Sequence, residues 1–317
     1  MNQMRLRKNR WMRDLLAETG FNARQLIQPL FTAEGLAADI AITGLGETAR
    51  QSIPSTLRQI EKDLEAGVRQ FILFQVPSQK AERKFSHTFS TQAIGEIKKR
   101  FGADIQLWVD TCLCSLTTHG HCCIFNSESK MDLPQTLRAL SELAVSFAQA
   151  GADGISPSDM MDGRIGAIRR ALEQEGYVDT IILSYAAKYA SSLYGPFREA
   201  VDSAAHLGAA DKKTYQMDPA NSHEALREVA MDIEEGADMV MVKPGLCYLD
   251  IIYKVSQHFS IPVLAYQVSG EYSMIKAASE KGWINGDKVM LESLLAFKRA
   301  GAHAIFTYDA VEIAKKL

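Results

Sequence analysis

The sequence lacks the features that mark several large classes of protein. Its 317 residues carry a formal net charge of −3, so there is no basic excess to neutralise nucleic-acid phosphates. No apolar run reaches the roughly 18 residues needed to span a bilayer. The basic start, MNQMRLRKNRWMRDLL, has no apolar segment of the kind found in secretory signals. We therefore expect a cytoplasmic globular protein that binds neither nucleic acid nor membrane.

Cysteine is scarce, and its few copies are clustered. There are five cysteines, and four of them lie between Cys112 and Cys123 with the spacing C-x-C-x7-C-C. A disulfide scaffold would be shorter and would spread its cysteines. Thiolates bind zinc, as do imidazoles such as those of His119 and His121, and the spacing is not that of a zinc finger. The cluster predicts a catalytic zinc site with an open fourth position; free thiols packed in a loop are the alternative.

One pattern recurs along the chain: a helix-like segment ends in Ala-Gly or Glu-Gly, and a β-rich run follows. The glycine suits the left-handed position after a helix, and the apolar run suits a strand that is buried on both faces. Such a joint is typical of a parallel sheet covered by helices. The four clearest copies are EAGVRQFILFQV (65–76), QAGADGISPS (149–158), EEGADMVMVKPG (234–245) and RAGAHAIFTYDA (299–310).

Eight strands alternating with helices predict an α/β protein of the TIM (β/α)8 barrel class. An open doubly wound sheet is the alternative, but no Gly-x-Gly-x-x-Gly fingerprint follows the first strand. We expect residues 1–25 to form an extended or helical arm for oligomer contacts and 26–317 to form the catalytic barrel. The predicted strands are 26–33, 70–76, 106–112, 154–157, 180–187, 239–243, 261–267 and 304–308. The predicted helices are 54–66, 90–101, 134–149, 161–175, 221–235, 247–258, 272–281 and 287–300.

Polar residues follow six of the predicted strands at their carboxyl ends, the edge where barrel enzymes place their chemistry. One such residue is usually a turn or a satisfied polar group, whereas six sets on one rim indicate a site. These residues are Asp110, Ser156, Ser158, Asp159, Tyr185, Lys188, Lys243, Gln267, Ser269, Glu271, Tyr308 and Asp309.

Two lysines stand out at neighbouring strand ends. Lys243 ends the apolar run Met-Val-Met-Val, where burial should lower its pKa and leave a nucleophilic amine. Lys188 ends the adjacent strand, and repulsion between the two ammonium groups lowers at least one pKa further. The pair predicts Schiff-base chemistry, although a single rim lysine more often reaches solvent. Arg198 and Lys212 are candidates to bind a substrate carboxylate.

At these residues the sequence closely resembles the porphobilinogen synthase (5-aminolevulinate dehydratase) family in its zinc-cysteine form. The resemblance covers nearly the whole chain, and its motifs are long and chemically specific. They are DTCLCSLTTHGHC (110–122), SPSDMMDGR (156–164), SYAAKYASSLYGPFREA (184–200), TYQMDP (214–219), GADMVMVKPGLCYLDI (236–251), YQVSGEYSMIK (266–276) and AGAHAIFTY (300–308).

The resemblance implies a lyase that condenses two molecules of 5-aminolevulinate asymmetrically into porphobilinogen, with loss of two waters, in tetrapyrrole (haem) biosynthesis. It implies that Lys243 and Lys188 each form a Schiff base with one substrate molecule. The implied site has four further groups of residues: Arg198 and Lys212 for one substrate carboxylate, Ser269 and Tyr308 for the other, Asp110 and Ser158 in support, and Cys112, Cys114 and Cys122 for a catalytic zinc.

The resemblance also carries finer implications. Glu228 matches the position of an allosteric magnesium ligand in some bacterial members, with a solvated helix glutamate as the alternative. Members typically form homo-octamers through the N-terminal arm. The family usually has glycine where this chain has Cys123, so either Cys122 or Cys123 could be the third zinc ligand; register favours Cys122.

Two other functions remain open. A class I aldolase-type lyase on the same barrel would need one of the two lysines and no cysteine cluster. A zinc-structured interaction module would need a closed four-ligand site and would leave both lysines unexplained.

Overall fold

The protein is a closed parallel β-barrel surrounded by helices. The computed structural model describes residues 2–201 and 211–317. Eight of the strands run parallel and close into the barrel, because β1 pairs with both β4 and β10. The strands are β1 Leu26–Ala33, β2 Ile40–Ala41, β3 Ala49–Gln51, β4 Gln70–Val76, β5 Gln106–Thr111, β6 Gly154–Pro157, β7 Ile181–Lys188, β8 Met239–Lys243, β9 Val263–Tyr266 and β10 Ala304–Phe306.

Helices connect successive barrel strands and pack on the outside of the sheet. Several begin at a side-chain cap: Ser52, Asp132 and Asn285 each accept a bond from a backbone N–H of the first turn. The described α-helices are Arg10–Leu15, Ile53–Glu65, Thr88–Phe101, Leu133–Gln149, Arg164–Gln174, Gly195–Ala200, His223–Glu234, Leu249–His258, Ser269–Glu280, Gly286–Arg299 and Ala310–Ala314. None of these is long and apolar enough to cross a membrane.

The predicted barrel is confirmed, and its eight strands lie where the sequence places them. Three predicted strands are shorter in the structure: 106–112 is Gln106–Thr111, 261–267 is Val263–Tyr266, and 304–308 is Ala304–Phe306. Beyond the last two, Gln267 and Thr307 still donate backbone N–H bonds to Phe306 and Ile27 of the neighbouring strands. The helix predicted to begin at 272 begins at Ser269, because the side chain of Glu271 accepts the N–H of Val268 and stabilises the first turn.

The sequence did not predict the antiparallel pair β2–β3, in which β3 also pairs in parallel with the carboxyl end of β1, or the short helices Gly195–Ala200 and Ala310–Ala314. Strands of two and three residues are too short to show alternation. Both short helices lie next to the rim, where the prediction assigned loops.

The first segment of the chain is helical but exposes its apolar side chains. Two 3-10 turns, Gln3–Arg7 and Ala23–Gln25, flank the helix Arg10–Leu15, and Met1 lies outside the described residues. The side chains of Trp11 and Leu15 are 78% and 76% exposed. The division into an arm (1–25) and a barrel (26–317) remains a prediction.

A buried ion pair joins the helix after β6 to the helix before β8. The Arg164 guanidinium donates to both carboxylate oxygens of Asp232 at 2.8 Å and to the hydroxyl of Ser184 at 2.9 Å. Both charged side chains are almost completely buried. A bidentate pair in this setting fixes the two helices relative to β7, but only while both partners are present.

We predict that Asp232→Ala lowers the free energy of unfolding by about 3–5 kcal/mol, because it leaves the Arg164 charge buried without its partner. The matched control is Glu128→Ala, which removes an exposed ion pair with Lys130 and should cost less than about 1 kcal/mol. Urea unfolding of both variants at one protein concentration measures the difference. Similar losses in the two variants would contradict the role given to the buried pair.

Candidate active site

Two lysines lie side by side at the carboxyl ends of adjacent strands. In the register of β7 and β8, Lys188 is the direct partner of Lys243. Lys188 and Lys243 are 8% and 3% exposed, and both line one cavity. Parallel strands end on the same edge of the barrel, so this register brings the two amines into one compartment. The predicted pairing of the lysines is thus confirmed.

Aromatic rings surround the amine of Lys243. Its Nζ lies 4.2 Å from the ring centre of Tyr266, 4.7 Å from Phe197, 5.1 Å from Tyr185 and 5.5 Å from Tyr194. Aromatic rings attract an ammonium ion but cannot replace its hydration shell. The loss of hydration on burial therefore outweighs this attraction in setting the pKa of Lys243. Burial is the main cause and the positive charge of Lys188 the second, and together they lower the pKa of Lys243 to about 7. A substantial part of the amine is therefore neutral near pH 7.

Lys188 has a more polar surrounding. Its Nζ donates a hydrogen bond to the backbone carbonyl of Ser158, and it lies 5.6 Å from the ring centre of Tyr185. Asp110, at the end of β5, also faces this part of the cavity. Burial raises the pKa of Asp110 to about 6, although Ser158 and both lysines oppose the rise. Among the described residues, none bonds to Oδ1 of Asp110, which leaves that oxygen available to a ligand.

Three thiols meet beside the lysines. The Sγ atoms of Cys112, Cys114 and Cys122 lie within 4.8 Å of one another, and all three residues are buried. Hydrogen bonds from Cys112 and Cys114 lower the pKa of Cys122 well below its ordinary value. Lys212 donates to the Cys122 sulfur at 3.3 Å. A compact set of soft sulfur donors with a thiolate among them fits a metal ion such as zinc.

Cys123 is not a member of this cluster. It is completely buried, and burial raises its pKa to about 12, which keeps it a thiol. The ambiguity between Cys122 and Cys123 is therefore resolved geometrically in favour of Cys122 as the third sulfur of the group.

The cavity brings together most of the predicted site residues. Lys188, Lys243, Asp110, Ser158, Arg198, Lys212 and Cys114 all line it, and so do Tyr194, Phe197 and Gln216. The lining of the cavity therefore combines amines, a carboxylate, a guanidinium and sulfur.

Ser269 and Tyr308 do not line this cavity. The Ser269 hydroxyl accepts from the N–H of Phe197 at 3.1 Å and donates to the carbonyl of Leu193 at 3.2 Å. The Tyr308 hydroxyl lies 3.5 Å from that of Tyr266, behind the ring nearest the Lys243 amine. Both predicted residues are thus one layer away from the lysines in this structure.

Glu228 lies apart from the lysines, on the helix His223–Glu234. It is half-buried and lines a second cavity together with Asp162 and Glu224. Burial raises its pKa, and the neighbouring charge of Asp162 adds to this effect. In the part of the chain that the structure describes, the cysteine cluster is the one group of three or more potential ligands whose donor atoms are already close together.

Apart from Tyr185, the sequence did not single out the aromatic residues around Lys243, and it did not single out Gln216. Tyr194 and Phe197 stand in the stretch SLYGPFREA, between the end of β7 and Arg198, and Tyr266 ends β9. Their proximity to the strand ends was the one available signal. Their convergence on a single amine depends on contacts between β7, β9 and the short helix Gly195–Ala200, which periodicity does not reveal.

Known proteins match the chain over almost its full length. A family model described as Delta-aminolevulinic acid dehydratase matches residues 1–316. Relatives of that name from Bacillus subtilis and Methanothermus sociabilis are 43% and 46% identical, each over 99% of this chain and 97% of the relative. The crystal structure of the porphobilinogen synthase from Toxoplasma gondii, in complex with the reaction product porphobilinogen, superposes with a TM-score of 0.96. It is 42% identical and covers 100% of this chain and 91% of its own.

The family match covers residues 1–316, and both relatives are more than 40% identical over 99% of this chain, so the match includes the whole barrel. The chain belongs to the delta-aminolevulinic acid dehydratase family.

Proposed function

We propose that this chain is a lyase that condenses two molecules of 5-aminolevulinate into porphobilinogen, with loss of two waters, through imines at Lys188 and Lys243. The observation that carries the proposal is the pair of lysines in one buried cavity, with the pKa of Lys243 lowered to about 7. A neutral amine attacks a ketone, water leaves, and the protonated imine that remains acidifies the neighbouring carbon. That acidity is what carbon–carbon bond formation needs.

The two lysines offer two different places for the same small molecule. Lys243 is enclosed by aromatic rings, whereas Lys188 donates a hydrogen bond to the carbonyl of Ser158; Arg198 lines the same cavity. Arg198 suits a carboxylate, since a guanidinium can bind both oxygens. Lys212 would attract the same carboxylate as a single positive charge. Fixing two substrate molecules in distinct poses replaces an improbable encounter in water and sets the asymmetry of the product.

We assign the second substrate carboxylate to Ser269 and Tyr308, next to the Lys243 compartment. Tyr308 contacts Tyr266, and Ser269 supports Phe197; both of those rings flank the Lys243 amine. A substrate carboxylate would have to compete for the Ser269 hydroxyl with its bonds to Leu193 and Phe197. This assignment therefore includes a local adjustment of the segment 193–197 on binding.

The cysteine cluster would hold a zinc ion through Cys112, Cys114 and Cys122. Three close sulfur atoms and a lowered thiolate pKa are what zinc requires, and the adjacent cavity leaves room for a fourth ligand from substrate. When bound, zinc supplies a Lewis acid next to the substrate. Asp110, with a free carboxylate oxygen and a pKa near 6, would hold or accept a proton between the two amines.

Three further features of the proposal lie outside the active site. Glu228, with Asp162 and Glu224 beside it, would provide oxygen ligands for an allosteric magnesium ion. The exposed apolar side chains of residues 4–16 would be covered in a homo-octamer. Unpaired thiols throughout the described residues suit a reducing, cytoplasmic location.

The aldolase alternative uses one lysine imine and leaves the second lysine and the thiol cluster without a role. Reductive trapping separates the two functions. Dehydratase chemistry predicts 5-aminolevulinate adducts at both lysines, whereas an aldolase predicts one.

We predict that Lys243→Met reduces porphobilinogen formation by a factor on the order of 10⁴ or more, because the nucleophile is lost. The folded barrel should survive, since methionine fills an aromatic pocket well. The measurement is a colour assay for pyrrole product, with the unfolding midpoint recorded for each variant. The control is Lys281→Met, an exposed lysine outside the cavity. A rate close to that of the unmodified chain in Lys243→Met would refute the mechanism.

The lowered pKa of Lys243 predicts a specific pH dependence. Below pH 7 the amine is protonated and cannot attack, so kcat/KM should rise with pH through about 7 and then level off. Removing the neighbouring charge with Lys188→Met should move the midpoint for trapping at Lys243 to higher pH, because repulsion from Lys188 helps to lower that pKa. A midpoint near 10, the value of an ordinary lysine, would contradict the role of burial.

Metal removal should distinguish the three clustered cysteines from their neighbours. We predict that chelation abolishes product formation and that zinc restores it. Each of Cys112→Ser, Cys114→Ser and Cys122→Ser should lose the bound metal, about one ion per chain. Cys123→Ser and Cys247→Ser are matched controls and should keep it, since neither sulfur belongs to the group. Metal analysis by mass spectrometry provides a readout that is independent of activity, and full activity in metal-free protein would exclude a catalytic metal.

A further inference from the structure

Glu271 is a completely buried carboxylate in the first turn of the helix Ser269–Glu280. None of the ion pairs that involve described residues includes it. Its oxygens accept backbone N–H bonds instead: Oε1 from Leu246 at 2.7 Å and Oε2 from Val268 at 2.8 Å. Burial raises its pKa to about 7, and these N–H groups oppose the rise. Burying a carboxylate that only peptide N–H groups of two loops stabilise costs free energy of folding. The presence of Glu271 despite this cost indicates that it has a function.

One of these bonds fixes the segment that follows Lys243. Leu246 is the third residue after Lys243, and the glycine between them is tightly packed. A Cβ on Gly245 would lie 2.6 Å from the Phe297 ring and 2.9 Å from the carbonyl of Tyr266. Close packing at Gly245 therefore restricts the backbone that leaves β8, and the bond from Leu246 to Glu271 fixes the end of this segment.

The other side of the same helix supports the wall of the cavity. Ser269 accepts the N–H of Phe197 and donates to the carbonyl of Leu193. A Cβ on Gly270 would lie 2.6 Å from that carbonyl oxygen, so the helix start touches the segment after β7 directly. The Phe197 ring in turn lies 4.7 Å from the Nζ of Lys243.

We infer that Glu271 is a positioning residue for the Lys243 amine: it holds the backbone after Lys243 against the helix that supports Phe197. Glu271 thereby fixes two parts of the surroundings of Lys243. One is the backbone that carries the amine, and the other is the Phe197 ring that covers it. The Lys188 amine is held instead by the carbonyl of Ser158, and no hydrogen bond among the described residues joins that amine to Glu271. The inference rests on the proposed function, and it assigns Glu271 to one of the two imine sites only.

Glu271→Gln tests this inference with almost no change in side-chain size. The substitution replaces one acceptor oxygen by an NH2 group, which cannot accept a peptide N–H, so one of the two loop contacts is lost. The control is Glu280→Gln, the same change at the exposed end of the same helix. The zinc-loaded proteins are incubated with 5-aminolevulinate and cyanoborohydride, and the rates of adduct formation at Lys243 and Lys188 are measured by peptide mapping.

We expect adduct formation at Lys243 to slow by roughly 10- to 100-fold in Glu271→Gln, with little change at Lys188 and none at either site in Glu280→Gln. Equal slowing at both lysines, or no slowing at either, would overturn the inference. Should Glu271→Gln fail to fold, Glu271→Asp, which keeps the charge on a shorter side chain, is expected to give the same selectivity. If neither variant folds, the carboxylate is structural and the inference is wrong. Absence of any adduct in the unmodified chain would instead refute the proposed function.

Discussion

The site depends on the register of two parallel strands. Lys188 and Lys243 are direct partners across β7 and β8, so their amines leave the barrel at the same height and on the same side. Neither can be hydrated fully, and each repels the other. Burial favours the neutral form of Lys243, and the charge of its neighbour favours it further. A shift of one strand by a residue would point one amine into the packed wall of the barrel and remove both effects.

The rest of the rim keeps this arrangement rigid through bonds between loops. The Tyr194 hydroxyl donates to the carbonyl of Tyr189 and approaches that of Lys243. Ser269 joins the segment after β7 to the helix after β9, and Glu271 joins that helix to the segment after β8. Most of these contacts involve backbone groups, so they fix the positions of loops without occupying the cavity.

The sequence was sufficient for the barrel and for most of the residues that line the cavity, but not for the position of each side chain relative to the lysines. Strands ending in Lys188 and Lys243 could be read from an apolar run that stops at a charged residue. The separation of Cys122 from Cys123 could not, because consecutive residues of a loop point in directions that only the packed structure sets. Ser269 and Tyr308 likewise end up one layer behind the lysines, since local bonds to Leu193, Phe197 and Tyr266 satisfy their hydroxyls.

A condensation of two identical molecules requires that the protein make them different, and the structure supports a physical basis for this. The Lys243 compartment is aromatic and poor in hydrogen bonds, which favours a neutral amine. The Lys188 amine instead has a carbonyl acceptor, and Asp110, which has an unpartnered oxygen, lines the same cavity. Under the proposed function, the two substrate molecules therefore meet different surroundings within one cavity, and the asymmetry of the product follows from the difference between two neighbouring strand ends.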